Sequence, residues 1–283
     1  MLIELKDAVV RYGRKKPAAL DGITAVIGPG IHLLLGENGA GKTTLLHLID
    51  GLRFPSSGCC LADGTDTRLR RPDITSRVCF LGDDMQFPAK TINEMVRIHA
   101  PFYPRFSAEM LAENLGTFAL DGSEKLRSLS LGNRRKAMVA YMLSLRAEVI
   151  LLDEPANGLD IESKIALQQM IARCIDDTQT VIVSTHTIDD LRNLFDGIIV
   201  LRHGRLQLAS PTDRILRRVS FVTAAEPAGH AFHCEQRLGR WHCIVPNNGG
   251  ADTDIDFRLL YTALHNPDSV NNLIKYLATD ENL

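Results

Sequence analysis

The sequence predicts a mixed α/β fold carrying a helical insertion and a small C-terminal extension. Three observations carry that prediction. An apolar run, Leu33-Leu34-Leu35, passes straight into a glycine-rich segment at Gly36, after which Lys42–Asp50 has helical spacing. A second apolar run, Val149–Leu152, ends in two carboxylates, Asp153 and Glu154. Between them, over about residues 88–145, the pattern turns mostly helical. A buried strand feeding a glycine loop and then a helix is an α/β arrangement.

Taken in order, Ile3, Leu5 and Val9 recur among polar residues, and Ile23–Ile27 and Ile31–Leu35 are apolar runs bounded by Gly28-Pro29-Gly30. Residues 1–35 therefore read as strands, and an N-terminal antiparallel β-subdomain is expected. Thr91 is placed to cap a helix over Ile92–Ala100 and Ser107 to cap Ala108–Phe118, with Pro101 and Pro104 breaking the chain between them. A third helix is expected over Gly132–Leu145, because Met138, Tyr141, Met142 and Leu145 share a face. The α/β pattern then resumes: a strand at Val149–Leu152, a helix at Ile161–Ile175, a strand at Thr180–Ser184 and a short helix at Ile188–Phe195. Gly197–Leu208 reads as a hairpin turning at His203-Gly204, and Pro211–Arg218 as a helix. A hairpin about Leu238-Gly239 and helices near Phe257–Leu264 and Ser269–Ala278 complete the extension. The expected division is residues 1–215 and 216–283.

Of the 283 residues, 45% are hydrophobic and 23% charged, with a formal net charge of -2. Those values fit a globular chain and leave no electrostatic footprint for nucleic acid. Neither a basic n-region at the N-terminus nor a run of about 18 apolar residues is present, so the chain reads as having no signal peptide and no membrane span. Six cysteines without a CxxC pair point to reduced thiols in a cytosolic compartment.

The chemistry begins at Gly36-Glu37-Asn38-Gly39-Ala40-Gly41-Lys42-Thr43, which fits G-x-x-x-x-G-K-[ST], with Thr44 counted beside it. The glycines let backbone N–H groups turn inward around phosphate oxygens, and the following helix adds its positive N-terminal end. Lys42 is the residue to reach the β and γ phosphates, and the Thr43 hydroxyl to ligate Mg²⁺. The segment defines a P-loop NTPase core. In such a core Asp153 holds Mg²⁺, directly or through water, and Glu154 orients or deprotonates the attacking water.

Further segments follow in a fixed order. Leu129-Ser130-Leu131-Gly132-Asn133 opens a helix, Asn157-Gly158-Leu159-Asp160 follows the carboxylates, and Val181–His186 comes one helix later. In this order and spacing the chain resembles the nucleotide-binding domain of ATP-binding cassette (ABC) proteins over residues 1–215. It looks most like the single-cassette subunits of drug, peptide or polysaccharide exporters. The resemblance implies an ATPase using ATP and Mg²⁺, with Lys42, Glu154 and His186 in catalysis. It implies a second nucleotide-binding subunit, identical or not, facing this one head to tail. Each nucleotide would then lie between one glycine loop and the other subunit's Ser130, Leu131, Gly132 and Asn133, with Asp160 also touching that subunit. His186 would contact the γ-phosphate and hold water near Glu154. Tyr12 stands where the family stacks an aromatic ring on adenine, a role for which ordinary packing is the competing reading.

The resemblance also implies an integral membrane permease that docks near Asp83–Met95. The chain would then be cytoplasmic, attached peripherally to the inner face of the membrane through that permease. A soluble cassette ATPase of translation or DNA maintenance, and a low-turnover nucleotide sensor, are the competing readings; nucleic acid is not expected as a partner.

Two positions depart from the family pattern. Asp83 stands where the family has a glutamine that senses Mg²⁺ and water, with Gln86 three residues later. As a hard oxygen donor Asp83 suits Mg²⁺, and Gln86 serves instead if the loop is reset. Leu131 and Asn133 replace a glycine and a glutamine, while Ser130 and Gly132 remain. In the extension, His233-Cys234 and His242-Cys243 flank a turn at Arg237–Arg240. The two pairs invite zinc, but strand alternation opposes four converging ligands; as cross-strand neighbours the cysteines are placed for a disulfide, and two ordinary thiols are the plain alternative. Asp256–Leu264 resembles the terminal helix of exporter subunits, and a plain amphipathic helix accounts for it equally well.

Overall fold

Alternating burial along Ile3–Arg11 (β1) and Ala18–Ile27 (β2) makes each a half-buried strand, and the two pair antiparallel. The structure is a computed structural model that describes residues 1–13, 15–84, 87–186, 194–247, 249 and 253–278. Gly30–Leu35 (β3) leads through the glycine loop into Lys42–Ile49 (α1). Ser57–Ala62 (β4) and Thr65–Asp66 (β5), which the periodicity does not announce, complete a four-stranded sheet ordered β2-β1-β4-β5. Pro72–Thr75 (α2) is a single helical turn before Val78–Leu81 (β6).

At the C-terminal end of α1, burial raises the Asp50 carboxyl to about 7, against the opposing charge of Arg70. A raised acid pKa means the folded chain holds the proton that the unfolded chain has released. Its contribution is complete below the unfolded value, near 3.8, and is lost as pH rises through about 7. The melting temperature of Asp50→Asn is therefore expected to fall less than that of the wild type between pH 5 and pH 8, a difference that a pH series of thermal melts measures.

The insertion is helical as expected. Thr91 Oγ1 caps Ile92–His99 (α3) by accepting from Glu94 N at 3.0 Å. Ser107 Oγ caps Ala108–Thr117 (α4) by accepting from Met110 N at 3.1 Å. Leu131–Ser144 (α5) buries far more than one stripe: Val139, Ala140, Tyr141 and Leu143 are each fully enclosed. From Ala137 to Leu143 the helix is apolar all round and belongs inside, so the single-face reading understated its burial. The polar end of Tyr141 is met by His99 Nδ1 at 2.9 Å.

Val149–Asp153 (β7), Ile161–Cys174 (α6) and Thr180–Ser184 (β8) restore the α/β alternation. β6, β7, β8 and β3 lie side by side in parallel, with Leu81 beside Leu152, Asp153 beside Ser184 and Leu34 beside Ser184. All five residues of β7 are buried, as a parallel sheet covered on both faces requires. The expected helix at Ile188–Phe195 falls largely on residues 187–193, outside the described residues.

The chain divides into two compact units: Met1–Phe195 with Leu201–Leu206, and Asp196–Val200 with the residues from Gln207 onward. Gly197–Arg202 (β9) and Arg205–Pro211 (β10) form the expected hairpin, followed by Thr212–Arg218 (α7). In the second unit, Val219–Ala224 (β11), His233–Arg237 (β12) and Arg240–Pro246 (β13) make an antiparallel sheet ordered β11-β13-β12. Phe257–His265 (α8) and Pro267–Ala278 (α9) follow. The turn between β12 and β13 is Leu238-Gly239, tighter than four residues, with both φ values positive as a type I′ turn demands. Register sets Cys234 opposite Cys243 with Cα atoms 4.2 Å apart, and their sulfurs form a disulfide. Both the zinc reading and the reduced-thiol reading of this pair are thereby corrected. The other four cysteines are free.

Candidate functional site

The carboxyl ends of β3, β7 and β8 finish at one edge of the parallel sheet, where open α/β sheets bind ligands. A cleft of about 380 Å³ lies there, lined by Glu37, Asn38, Gly39, Gly41, Lys42, Thr43 and Thr44 of the loop. Tyr12, Ala19, Asp83, Asp153 and Glu154 complete its walls. Two glycines are required by space. A Cβ on Gly36 would stand 2.6 Å from the Leu201 carbonyl oxygen, and one on Gly41 2.7 Å from that of Ala19, where φ is also 108°. Ala40 is buried under the loop.

Lys42 is 8% exposed and its Nζ donates to the Gly36 carbonyl at 2.7 Å and to Glu37 O at 3.4 Å. Burial lowers its pKa below the usual lysine value, and the carboxylates of Glu154 and Asp153 oppose that shift. The cation is thus held inside the loop, facing two anions, where a phosphate can take the place of its carbonyl partners.

Thr43 Oγ1 donates to Asp153 Oδ2 at 2.6 Å, and Ser184 Oγ donates to Asp153 Oδ1. Asp153 is 3% exposed and belongs to the strand end, so its position is fixed by the sheet. A hydroxyl and a carboxylate this close are the hard oxygen donors that Mg²⁺ prefers, and the donor set fits that ion. Ser184 is a participant that the sequence reading missed; the strand register, visible only once β7 and β8 are paired, identifies it.

Glu154 leaves the strand with φ at 50°, a conformation uncommon for a residue with a side chain. Its N–H donates to Ser184 O at 3.1 Å, which pins the turn. His186 Nδ1 lies 2.9 Å from Glu154 Oε2, and the Glu154 side chain is 13% exposed against 52% for His186. A carboxylate held by backbone on one side and by an accessible imidazole on the other is suited to receive a proton from water.

The Tyr12 ring is half exposed at the cleft mouth. Its hydroxyl bonds to Thr44 Oγ1 at 3.0 Å, and the Arg53 guanidinium covers the ring at 4.6 Å from its centroid. Thr44 and Arg53 thereby fix its orientation.

The candidate partner-facing residues lie apart from these cleft-lining groups. Ser130 caps α5, its Oγ accepting from Asn133 N at 3.2 Å, and Leu131 beside it is 69% exposed. A hydroxyl that accepts from a backbone amide still has its own proton to donate. Asp160 caps α6 by accepting from Ser163 N at 2.8 Å, a bond that holds its carboxyl below the usual range. A Cβ on Gly132 would sit 3.5 Å from the Gly158 carbonyl, so the two segments adjoin. Asp83 lines the cleft while its carboxylate accepts from Arg135 and Asn157. Gln86 lies outside the described residues.

Comparison with known proteins defines the class. The family model described as ABC transporter matches residues 20–157. A putative ABC transporter ATP-binding protein of Methanosarcina mazei is 32% identical over 235 residues, covering 79% of this chain and 72% of its own. The arabinose import ATP-binding protein AraG of Paraburkholderia xenovorans is 31% identical over 72% of this chain, which spans 42% of that relative. Among solved structures, the dimeric MJ0796 cassette in a post-hydrolysis state with ADP and Pi superposes with a TM-score of 0.64 at 25% identity, over 74% of this chain and 98% of that one. The chain belongs to the ATP-binding proteins of ABC transporters, a family of ATPases. Its core is their mixed α/β P-loop cassette.

Proposed function

We propose that this chain hydrolyses Mg·ATP to power an ABC transporter, closing on a second nucleotide-binding subunit when ATP binds and reopening after hydrolysis. The observation that carries the reading is the assembly around one cleft of a buried Lys42, the Thr43–Asp153 pair at 2.6 Å and the Glu154–His186 pair at 2.9 Å. Lys42 and the loop amides would bind the phosphates, Thr43 and Asp153 would hold Mg²⁺ with Asp83 lining the same cleft, and Glu154 would take the proton of the attacking water. The metal supplies neutralisation of phosphate charge. Ser130–Asn133 present their exposed edge to the partner subunit's nucleotide, and Asp160 touches that subunit.

Closure does mechanical work only because ATP binds the closed state better than the open one. The permease that receives the motion docks against the helical insertion near Asp83–Met95 and holds the chain at the inner face of the membrane. Export is the direction that α8 favours through its resemblance to exporter subunits, although its apolar face is buried like that of any amphipathic helix.

Purification from detergent-solubilised native membranes tests the reading. A multi-span membrane protein in fixed stoichiometry supports it; recovery with ribosomes or DNA would move the chain to another branch of the family. For the base site, Tyr12→Ala is expected to raise the KM for ATP about tenfold at nearly constant kcat, since stacking on a base contributes ~1–3 kcal/mol. Tyr12→Phe should stay near wild type, because the ring and not the hydroxyl does the stacking; steady-state kinetics of the two variants checks both.

A further inference from the structure

Arg135 is 7% exposed, and no step of the proposed reaction uses it. Its guanidinium spends its donors on two consecutive residues. Nη1 donates to the Gly82 carbonyl at 3.0 Å, and Nη2 to both the carbonyl and Oδ1 of Asp83 at 2.5 Å. The register of β6 against β7 sets Leu81 beside Leu152, so Gly82-Asp83 and Asp153-Glu154 leave the sheet side by side. Asn157 Nδ2 adds a contact to Asp83 Oδ1 at 3.3 Å, and Asn157 N donates to Glu154 O at 3.1 Å. Three segments therefore converge on one carboxylate: the cleft wall, the helix α5 and the loop that runs on to Asp160.

We propose that Arg135 is a positioning residue that holds Asp83 at the edge of the nucleotide cleft and ties the metal arriving there to the helix carrying Ser130–Gly132. The proposal rests on the reading of the cleft as a Mg·ATP site. A guanidinium so deeply buried needs a permanent anionic partner, because removing one member of such a pair strands an uncompensated charge. Its planar fork fits two acceptors at once, which a lysine does not. Oδ1 of Asp83 takes the short bond from Arg135, whereas Oδ2 meets Asn157 Nδ2 at 3.5 Å. A carboxylate has about four lone-pair sites, so Oδ2 keeps capacity for a metal-bound water while Oδ1 stays on Arg135. Arg135 would thus hold the carboxylate in place with Oδ2 available to the metal. Any weakening of the Arg135 bond is felt on α5, where Ser130 lies five residues, less than one and a half turns, from Arg135. The same carboxylate explains how an acidic residue stands beside a phosphate site already walled by Glu37, Asp153 and Glu154: Arg135 offsets its charge.

The test is equilibrium binding of ATP to the full chain with and without Mg²⁺, in wild type, Asp83→Asn, Arg135→Gln and the double variant. The ratio of the two affinities is the readout, since a merely structural defect lowers both together. Each single variant is expected to reduce the Mg²⁺-dependent gain about five- to tenfold, and the double variant to be no worse than either single. Single variants that keep the wild-type ratio, or losses that multiply in the double variant, would overturn the proposal. If thermal melts show that Arg135→Gln does not fold, Arg135→Lys replaces it; it keeps the charge without the fork and should show an intermediate ratio, and a wild-type ratio there overturns the proposal equally. A wild type that binds no ATP overturns the reading of the cleft itself, an outcome distinct from bound ATP with an unaltered Mg²⁺ response.

Discussion

Glu154→Gln is expected to lower kcat for ATP hydrolysis by about 10²–10⁴, the usual contribution of a general base, while ATP binding persists or tightens. The amide keeps the size of the carboxylate and can still accept from the backbone N–H of His186, which lies 3.4 Å from Glu154 Oε2. It cannot accept a proton from water at neutral pH. Glu154 also exerts a negative field on Lys42, so neutralising it removes one anion beside the incoming phosphates. Phosphate release and nucleotide binding, measured on the same preparation, separate the two effects. Equal loss of binding and turnover would mean that Glu154 acts on the ground state.

Lys42→Ala should weaken ATP binding about a hundredfold or more, because charge-assisted hydrogen bonds to a phosphate contribute ~1.5–3 kcal/mol each. The loop also loses its internal brace to Gly36 O and Glu37 O. The fold itself should tolerate the change, since burial already disfavours the charged lysine and the glycine loop is shaped by backbone approaches to Ala19 and Leu201. A thermal melt within a few degrees of wild type, alongside lost nucleotide binding by titration calorimetry, is the expected pair of results.

Much of this was legible in the residues because it is local. The glycine loop, the strand ending in Asp153 and Glu154, and the caps at Thr91 and Ser107 each need only a short window of sequence. The tight turn at Leu238-Gly239 was placed correctly, but its two-residue length, and with it the pairing of Cys234 with Cys243, needed the register. Strands β4 and β5 escaped notice because Ser57–Asp66 alternates weakly and is held by pairing, β4 with β1 and β5 with β4. Ser184, Arg135, Asn157 and Arg53 were missed for the same reason. Each acts on a residue at least 30 positions away, and nothing in its own neighbourhood announces the partner.

Titration of purified wild type and Lys42→Ala with ATP in the presence of Mg²⁺ tests the central claim most directly. The account predicts saturable binding by the wild type at one nucleotide per 31.3 kDa chain, and little or none by the variant. Binding of equal strength in both, or in neither, would contradict a nucleotide site built on Gly36–Thr43.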